Sequence, residues 1–186
     1  MRVPYVNDEQ LQASKDLTEV AIIERVRARR QPGELLPLDR ALLNSPQVAD
    51  GWNSFLGAIR QRTSLTADIR ELAICRVALI NGAEFEWSHH APLAKEAGVD
   101  ERGLRGEAEN EWLTVKQNAV LRYTDEMTKD VRVSDDTFQN LRNYFSSKEI
   151  VELTATIGAY NCCSRFLVAL DVGERNGLVN HEDWVY

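Results

Sequence analysis

"RELAICRVALINGAEFEWSHHAPLAKEAGV", Arg70 to Val99, holds two helical patterns with a stop between them. Ile69, Leu72, Ala73, Val77 and Ile80 recur at three- and four-residue steps, the period of a helix with an inward face. Asn81, Gly82 and Ala83 end that helix, because Asn and Gly tolerate the left-handed backbone of a helix terminus. A second helix begins near Glu84. Thr66 reads as the N-cap of the first helix, with Asp68 suited to its positive end. Pro92 removes a backbone donor, which predicts a kink or junction just after His89 and His90.

The same period extends outward in both directions. Residues 8–30 read as one polar, amphipathic helix ending before Pro32 and Gly33. Pro32, Pro37 and Pro46 then punctuate a run of short helices and turns. Residues 47–61 form a helix expected to turn Val48, Trp52, Phe55, Leu56 and Ile59 inward. Helices follow at 114–129, at 135–145 behind a Ser134 cap, and at 147–171 behind a Ser146/Glu149 capping box. The loosest connection is 101–111. No segment alternates with period two, so the expected fold is all-α.

At 186 residues the chain can bury a core without a metal or disulfide staple. Its hydrophobic fraction of 44% and charged fraction of 27% are those of an ordinary globular protein. A net charge of −7 argues against a nucleic-acid partner. The most basic run, "ERVRARR" at 24–30, is read as a solvated helix face or a subunit contact. The first residues lack an apolar signal core, and the apolar stretch 150–172 carries Glu152, Asn161 and Arg165, against a membrane span. Cys75, Cys162 and Cys163 make no CxxC pair and no metal-ligand spacing, and their odd number suits a reducing compartment, so a cytoplasmic location is expected. Cys162 and Cys163 are expected to be small core residues.

Glu86 and His90 stand four apart and share a helix face, whereas His89 falls on the opposite flank. One histidine is expected to face inward with Glu86 and the other to turn toward solvent or a neighbour. The turn at 81–83 can fold Glu71 back toward both, giving a carboxylate–imidazole–carboxylate cluster in apolar surroundings. Burial raises a carboxyl pKa and an adjacent carboxylate favours protonated histidine, which suits acid–base work near neutral pH. The same spacing also suits a plain surface ion pair. A zinc site does not fit, because HExxH sets its histidines four apart and these are adjacent. Asn161 and Arg165, on the apolar helix, need hydrogen-bond partners, between helices or in the same cavity.

The segment Arg70 to Val99 resembles the core motif of the carboxymuconolactone decarboxylase family. "LLNSPQVADGW", "TSLTADIREL" and "VSDDTFQNLRNYFSSKEIVELTATIGAYNCCSRFL" extend the resemblance over about residues 35 to 172. It implies the alkylhydroperoxidase D-like helical fold in a single compact domain at 35–172, with an N-terminal helical extension at 1–34 and a tail at 173–186. Relatives with thiol peroxidase activity carry a CxxC pair, and its two positions fall here on Ala83 and Glu86. A peroxidase is therefore disfavoured, since neither a nucleophilic nor a resolving thiol is present there.

The resemblance implies a cofactor-free, metal-free lyase that removes CO₂ from a small carboxylated lactone in aromatic compound catabolism. Within it, His90 is the expected acid–base group, Glu86 orients it or shares its proton, and Glu71 completes the network. Arg70 is a candidate for the substrate carboxylate, and Trp52, Trp87, His89 and Tyr160 for the remaining substrate contacts. An isomerase or hydratase using the same cluster, or a silent binding protein on the same scaffold, are the alternatives. A small-molecule partner and a trimer-based homo-oligomer are also implied.

Overall fold

The computed structural model describes residues 1–106, 109–174 and 176. Ten helices occur among them and no strand, so the all-α expectation holds. They are α1 Asp8–Ala13, α2 Leu17–Arg30, α3 Pro37–Leu42, α4 Pro46–Gln61, α5 Ala67–Asn81, α6 Glu84–Glu96, α7 Glu101–Arg105, α8 Val115–Lys129, α9 Asp135–Arg142 and α10 Ser147–Leu170. The tail expected over 173–186 lies outside the described residues apart from 173, 174 and 176, as do residues 107 and 108 of the loose connection.

One helical unit comprises Met1–Arg62 with Leu170–Glu174. The single helix expected over 8–30 is two, α1 and α2. Asp16 caps the second by accepting from the Thr18 N–H at 2.8 Å, an interaction that requires non-helical backbone at the cap itself. α2 packs against α4, and Ile22, Ile23, Val26, Ala49, Leu56 and Ile59 are buried. Arg30 grips the buried Asp39 of α3 through two hydrogen bonds of 2.7 and 2.8 Å. On α4 the inward face is narrower than the sequence implies: Val48 and Phe55, expected inside, are 52% and 49% exposed. Ala49, the neighbour of Val48, is buried instead.

The second unit, built on Thr63–Ala169, is organised around α5. That helix packs against α6, α7 and α8, and Leu72, Ala73, Ile74, Cys75, Val77 and Ala78 are all wholly buried. Gly82 ends it with φ +67°, and its N–H returns to the carbonyl of Leu79, the stop expected at 81–83. α6 then doubles back along α5.

Helix α6 runs through Pro92, so of the kink or junction expected there it is the junction that is absent. A proline inside a helix costs about 3 kcal/mol or more, and α6 offsets this by burying Trp87, His90, Ala91 and Ala94. Asn161 and Arg165 find partners on helices. Asn161 donates to Thr128 Oγ1 at 3.0 Å and accepts from Asn81 at 3.2 Å, while Arg165 donates to the Asn161 carbonyl at 3.1 Å.

Candidate active site

Three helices of the second unit supply the cluster: α5 gives Glu71 and Cys75, α6 gives Glu86 and His90, and α10 gives Tyr160 and Cys163. The tight turn at Gly82 makes α5 and α6 antiparallel neighbours, and this brings residues 19 apart in sequence into contact. His90 Nδ1 lies 2.6 Å from Glu71 Oε2, and both side chains are buried. A carboxylate accepts only, so Nδ1 carries a proton in this bond. Nε2 faces the Tyr160 hydroxyl at 3.3 Å, with the two rings edge to face. Arg70 Nε closes the other end on Glu71 Oε1 at 3.1 Å. The result is one hydrogen-bonded line, Arg70–Glu71–His90–Tyr160.

The two histidines separate cleanly. His90 is the inward one. His89 is exposed, its Nδ1 2.7 Å from the Phe85 carbonyl and its ring 4.4 Å from that of Phe85. The direct hydrogen-bond partner of His90 is Glu71, whereas Glu86 was expected to orient it or share its proton.

Glu86 is only 3% exposed, and neither of its carboxyl oxygens has a hydrogen-bond partner of standard geometry among the described residues. Burial therefore raises its pKa well above the usual 4.5, with the Cys163 thiol a smaller influence in the opposite direction. Cys75, fully buried, has its thiol pushed well up by burial first and then by the charges of Glu71 and Glu86. Of the paired cysteines, Cys163 is buried in the core as expected and Cys162 is exposed.

The raised carboxyl has a stability signature with a definite sign. Between the unfolded value of 4.5 and its higher folded value, the native state binds the extra proton, so stability falls as pH rises. Glu86→Gln removes this titration. Thermal unfolding of the variant should gain on wild type progressively above about pH 4.5. A difference in Tm that stays constant from about pH 4 to about pH 8 would show that Glu86 is not held neutral.

The remaining candidates are placed as follows. Arg70 also reaches the Leu65 carbonyl at 3.5 Å, and its Nη2 has no hydrogen bond among the described residues. Trp87 is fully buried, with the Arg105 guanidinium carbon 4.8 Å from its ring centroid. Trp52 belongs to the other unit, where it lines a small recess with Val26, Leu42 and Ala49. Cys163 beside Glu86 escaped the sequence reading. Its only signal is the three-residue step from Tyr160. No cluster of three or more His, Cys, Asp or Glu side chains is placed to hold a metal ion among the described residues.

The helical fold has counterparts of known structure. The chain has the alkylhydroperoxidase AhpD-like helical fold. It is similar to the AhpD-core, peroxidase-related protein of Ralstonia eutropha JMP134 (TM-score 0.74, 17% identity, 97% of this chain and 93% of that one). It is also similar to the debrominase Bmp8, solved as a variant in complex with 2,3,4-tribromopyrrole (TM-score 0.67, 14% identity, 92% and 90%). A protein of unknown function from Agrobacterium tumefaciens, suggested to be an AhpD antioxidant defence protein, shares 27% identity over 69% of this chain and 90% of its own, with TM-score 0.63. No curated protein matches the chain. Residues 46–106, which carry Glu71, Glu86 and His90, match the model of the carboxymuconolactone decarboxylase family.

Proposed function

We propose that this protein is a cofactor-free carboxy-lyase acting on a small carboxylated lactone or a related unsaturated acid. The observation that carries the reading is the buried line Arg70–Glu71–His90–Tyr160, with the buried carboxyl of Glu86 on the same helix as His90. Glu71 fixes the tautomer and orientation of His90, as a third group orients the base in other acid–base sites. His90, through Nε2 and the Tyr160 hydroxyl, is the group that moves a proton.

In the reaction the bond between the substrate carbon and its carboxylate breaks, and CO₂ leaves. The electron pair passes into the conjugated lactone, whose developing oxyanion needs hydrogen-bond donors. A proton then goes from the Tyr160 hydroxyl to the substrate carbon, His90 in its imidazolium form passes its Nε2 proton to the phenolate, and solvent returns a proton to His90. Glu86 in its neutral form spares a carboxylate substrate the repulsion of a second buried anion, and it is proposed to share its carboxyl proton with the cluster, which a glutamine there could not do. Arg70, with Nη2 unoccupied among the described residues, is the proposed carboxylate anchor, and Trp87 and His89 are proposed to border the substrate.

A thiol peroxidase reading is disfavoured on physical grounds. Ala83 and Glu86 stand at the CxxC positions, and Cys75 is driven away from the thiolate that such chemistry requires. A cytoplasmic, trimer-based assembly working in aromatic compound catabolism fits the family resemblance. No helix among the described residues is long and apolar enough to cross a membrane, and exposed Val48, Phe55 and Val151 offer apolar contact area.

The test is CO₂ release, with the accompanying ultraviolet change, on a panel of carboxylated lactones and vinylogous acids after chelator treatment. Turnover of at least one member is expected, and Glu86→Gln should slow it about tenfold or more. Release of no CO₂ from any member removes the lyase reading, and full rate in Glu86→Gln removes Glu86 from the chemistry.

A further inference from the structure

The side chains of the site stand in two tiers, and α5, α6 and α10 each give one residue to each tier. The first tier is Glu71, His90 and Tyr160, joined by the hydrogen bonds of 2.6 and 3.3 Å. Four residues further along α5 lies Cys75, four residues back along α6 lies Glu86, and three residues further along α10 lies Cys163. Because α5 and α6 run antiparallel across the Gly82 turn, these opposite steps travel the same way, and each keeps the face of its helix. Cys75, Glu86 and Cys163 are all buried.

The second tier is thus one carboxyl in the company of two thiols. The Cys163 thiol acts on the Glu86 carboxyl as a donor, outside standard hydrogen-bond geometry, and the Cys75 thiol feels the charges of Glu71 and Glu86. The other titratable groups on these faces are Glu71 on α5, His90 on α6 itself and Tyr160 on α10. Of the nearby cations, Arg70 is bonded to Glu71 and Arg105 of α7 to Glu101. A thiol is a weak donor, far weaker than the hydroxyl of a serine. Ionised Glu86 would find little in this tier to stabilise its charge.

We propose that Cys163 is a positioning residue for Glu86, with Cys75 lining the same carboxyl from α5: the thiol is a close neighbour that donates too weakly to hold the anion, and so leaves the proton on Glu86. A serine hydroxyl in its place would give a carboxylate an O–H···O⁻ bond, and a hydrogen bond to the charged form favours that form. The thiol touches no substrate and works through Glu86 alone. The inference rests on the acid–base role proposed for Glu86 and deepens it, by naming the side chain that sets whether this carboxyl has a proton to share.

Infrared difference spectroscopy of the full chain across a pH titration reads the Glu86 carboxyl directly, as the protonated C=O band that Glu86→Gln removes. Cys163→Ser is expected to lower the midpoint of that band by about one pH unit or more, a tenfold shift in the ionisation equilibrium. Cys163→Ala, which offers no donor, should keep the midpoint at or above that of wild type, and Cys162→Ser, at the exposed neighbour, should leave it unchanged. A thiol that only fills space would alter the melting of both Cys163 variants without lowering the midpoint in serine alone. Circular dichroism checks that each variant is folded, and if Cys163→Ser is not, a lowered midpoint in Cys163→Ala still overturns the proposal. An unmoved midpoint in folded Cys163→Ser, or no Glu86 band in wild type, overturns it too. A band that shifts while the pH profile of turnover does not supports the tuning by Cys163 and removes Glu86 from the reaction, so the two failures are told apart.

Discussion

Replacing His90 with alanine is expected to cut turnover about 1,000-fold while the circular dichroism of the helices stays that of wild type. The size follows from losing a general acid–base group, which contributes roughly 10²–10⁴ in rate. His90 is the middle of a line with Glu71 at 2.6 Å on one side and Tyr160 at 3.3 Å on the other. Its removal disconnects the hydroxyl from the carboxylate. Tyr160→Phe leaves the imidazole in place and should cost less than His90→Ala. His89→Ala should change turnover by less than about threefold, because His89 is exposed and bonded only locally. Essential His89 with dispensable His90 would reverse the assignment.

The second large effect concerns stability. Arg76 is 6% exposed on α5, with Nη2 2.7 Å from Asp125 of α8 and Nη1 2.8 Å from the Gly106 carbonyl just past α7. One side chain therefore ties three helices together. Arg76→Ala leaves the Asp125 carboxylate, 14% exposed, and a helix-end carbonyl without their main donor. Breaking a buried pair in this way costs about 3–5 kcal/mol. Lys129, 3.0 Å from Asp125 but half exposed, recovers only part of this. At this chain length about 1 kcal/mol shifts Tm by about 2–4 °C, so a fall of roughly 10 °C is expected in a thermal melt. The double variant Arg76→Met with Asp125→Leu should recover much of the loss, since no charge is then stranded. A single variant within about 1 °C of wild type would show that the pair is not a structural tie.

The sequence disclosed the helices more fully than the contacts between them. Period, the Asn81-Gly82 stop and the Ser146/Glu149 box are local signals, and local signals set where helices begin and end. α1 and α2 were fused because Asp16 caps from within a polar run, where no change in apolar period marks the break. Pro92 misled in the other direction: its cost is local, and what offsets it is the tertiary burial of Trp87 and Ala91.

In the candidate site, the identities of Glu71, Glu86 and His90 were legible, and their connections were not. Four-residue spacing pairs Glu86 with His90 on one helix, yet the partner of His90 comes from the neighbouring helix across a turn. Adjacent histidines carry no sequence signal for which faces inward. The packing of α6 against α5 decides it. Arg76 stood in plain sight as a charge inside an apolar run, and its meaning needed Asp125, 49 positions away.

The most direct test of the lyase claim is turnover in D₂O, with CO₂ and product measured together. A lyase working through Tyr160 and His90 gives one CO₂ per product, with one deuterium on the carbon that lost its carboxylate. His90→Ala should give neither at a measurable rate. Deuterium entering a product that keeps its carboxylate, with no CO₂ released, would contradict the account and mark the same residues as those of an isomerase.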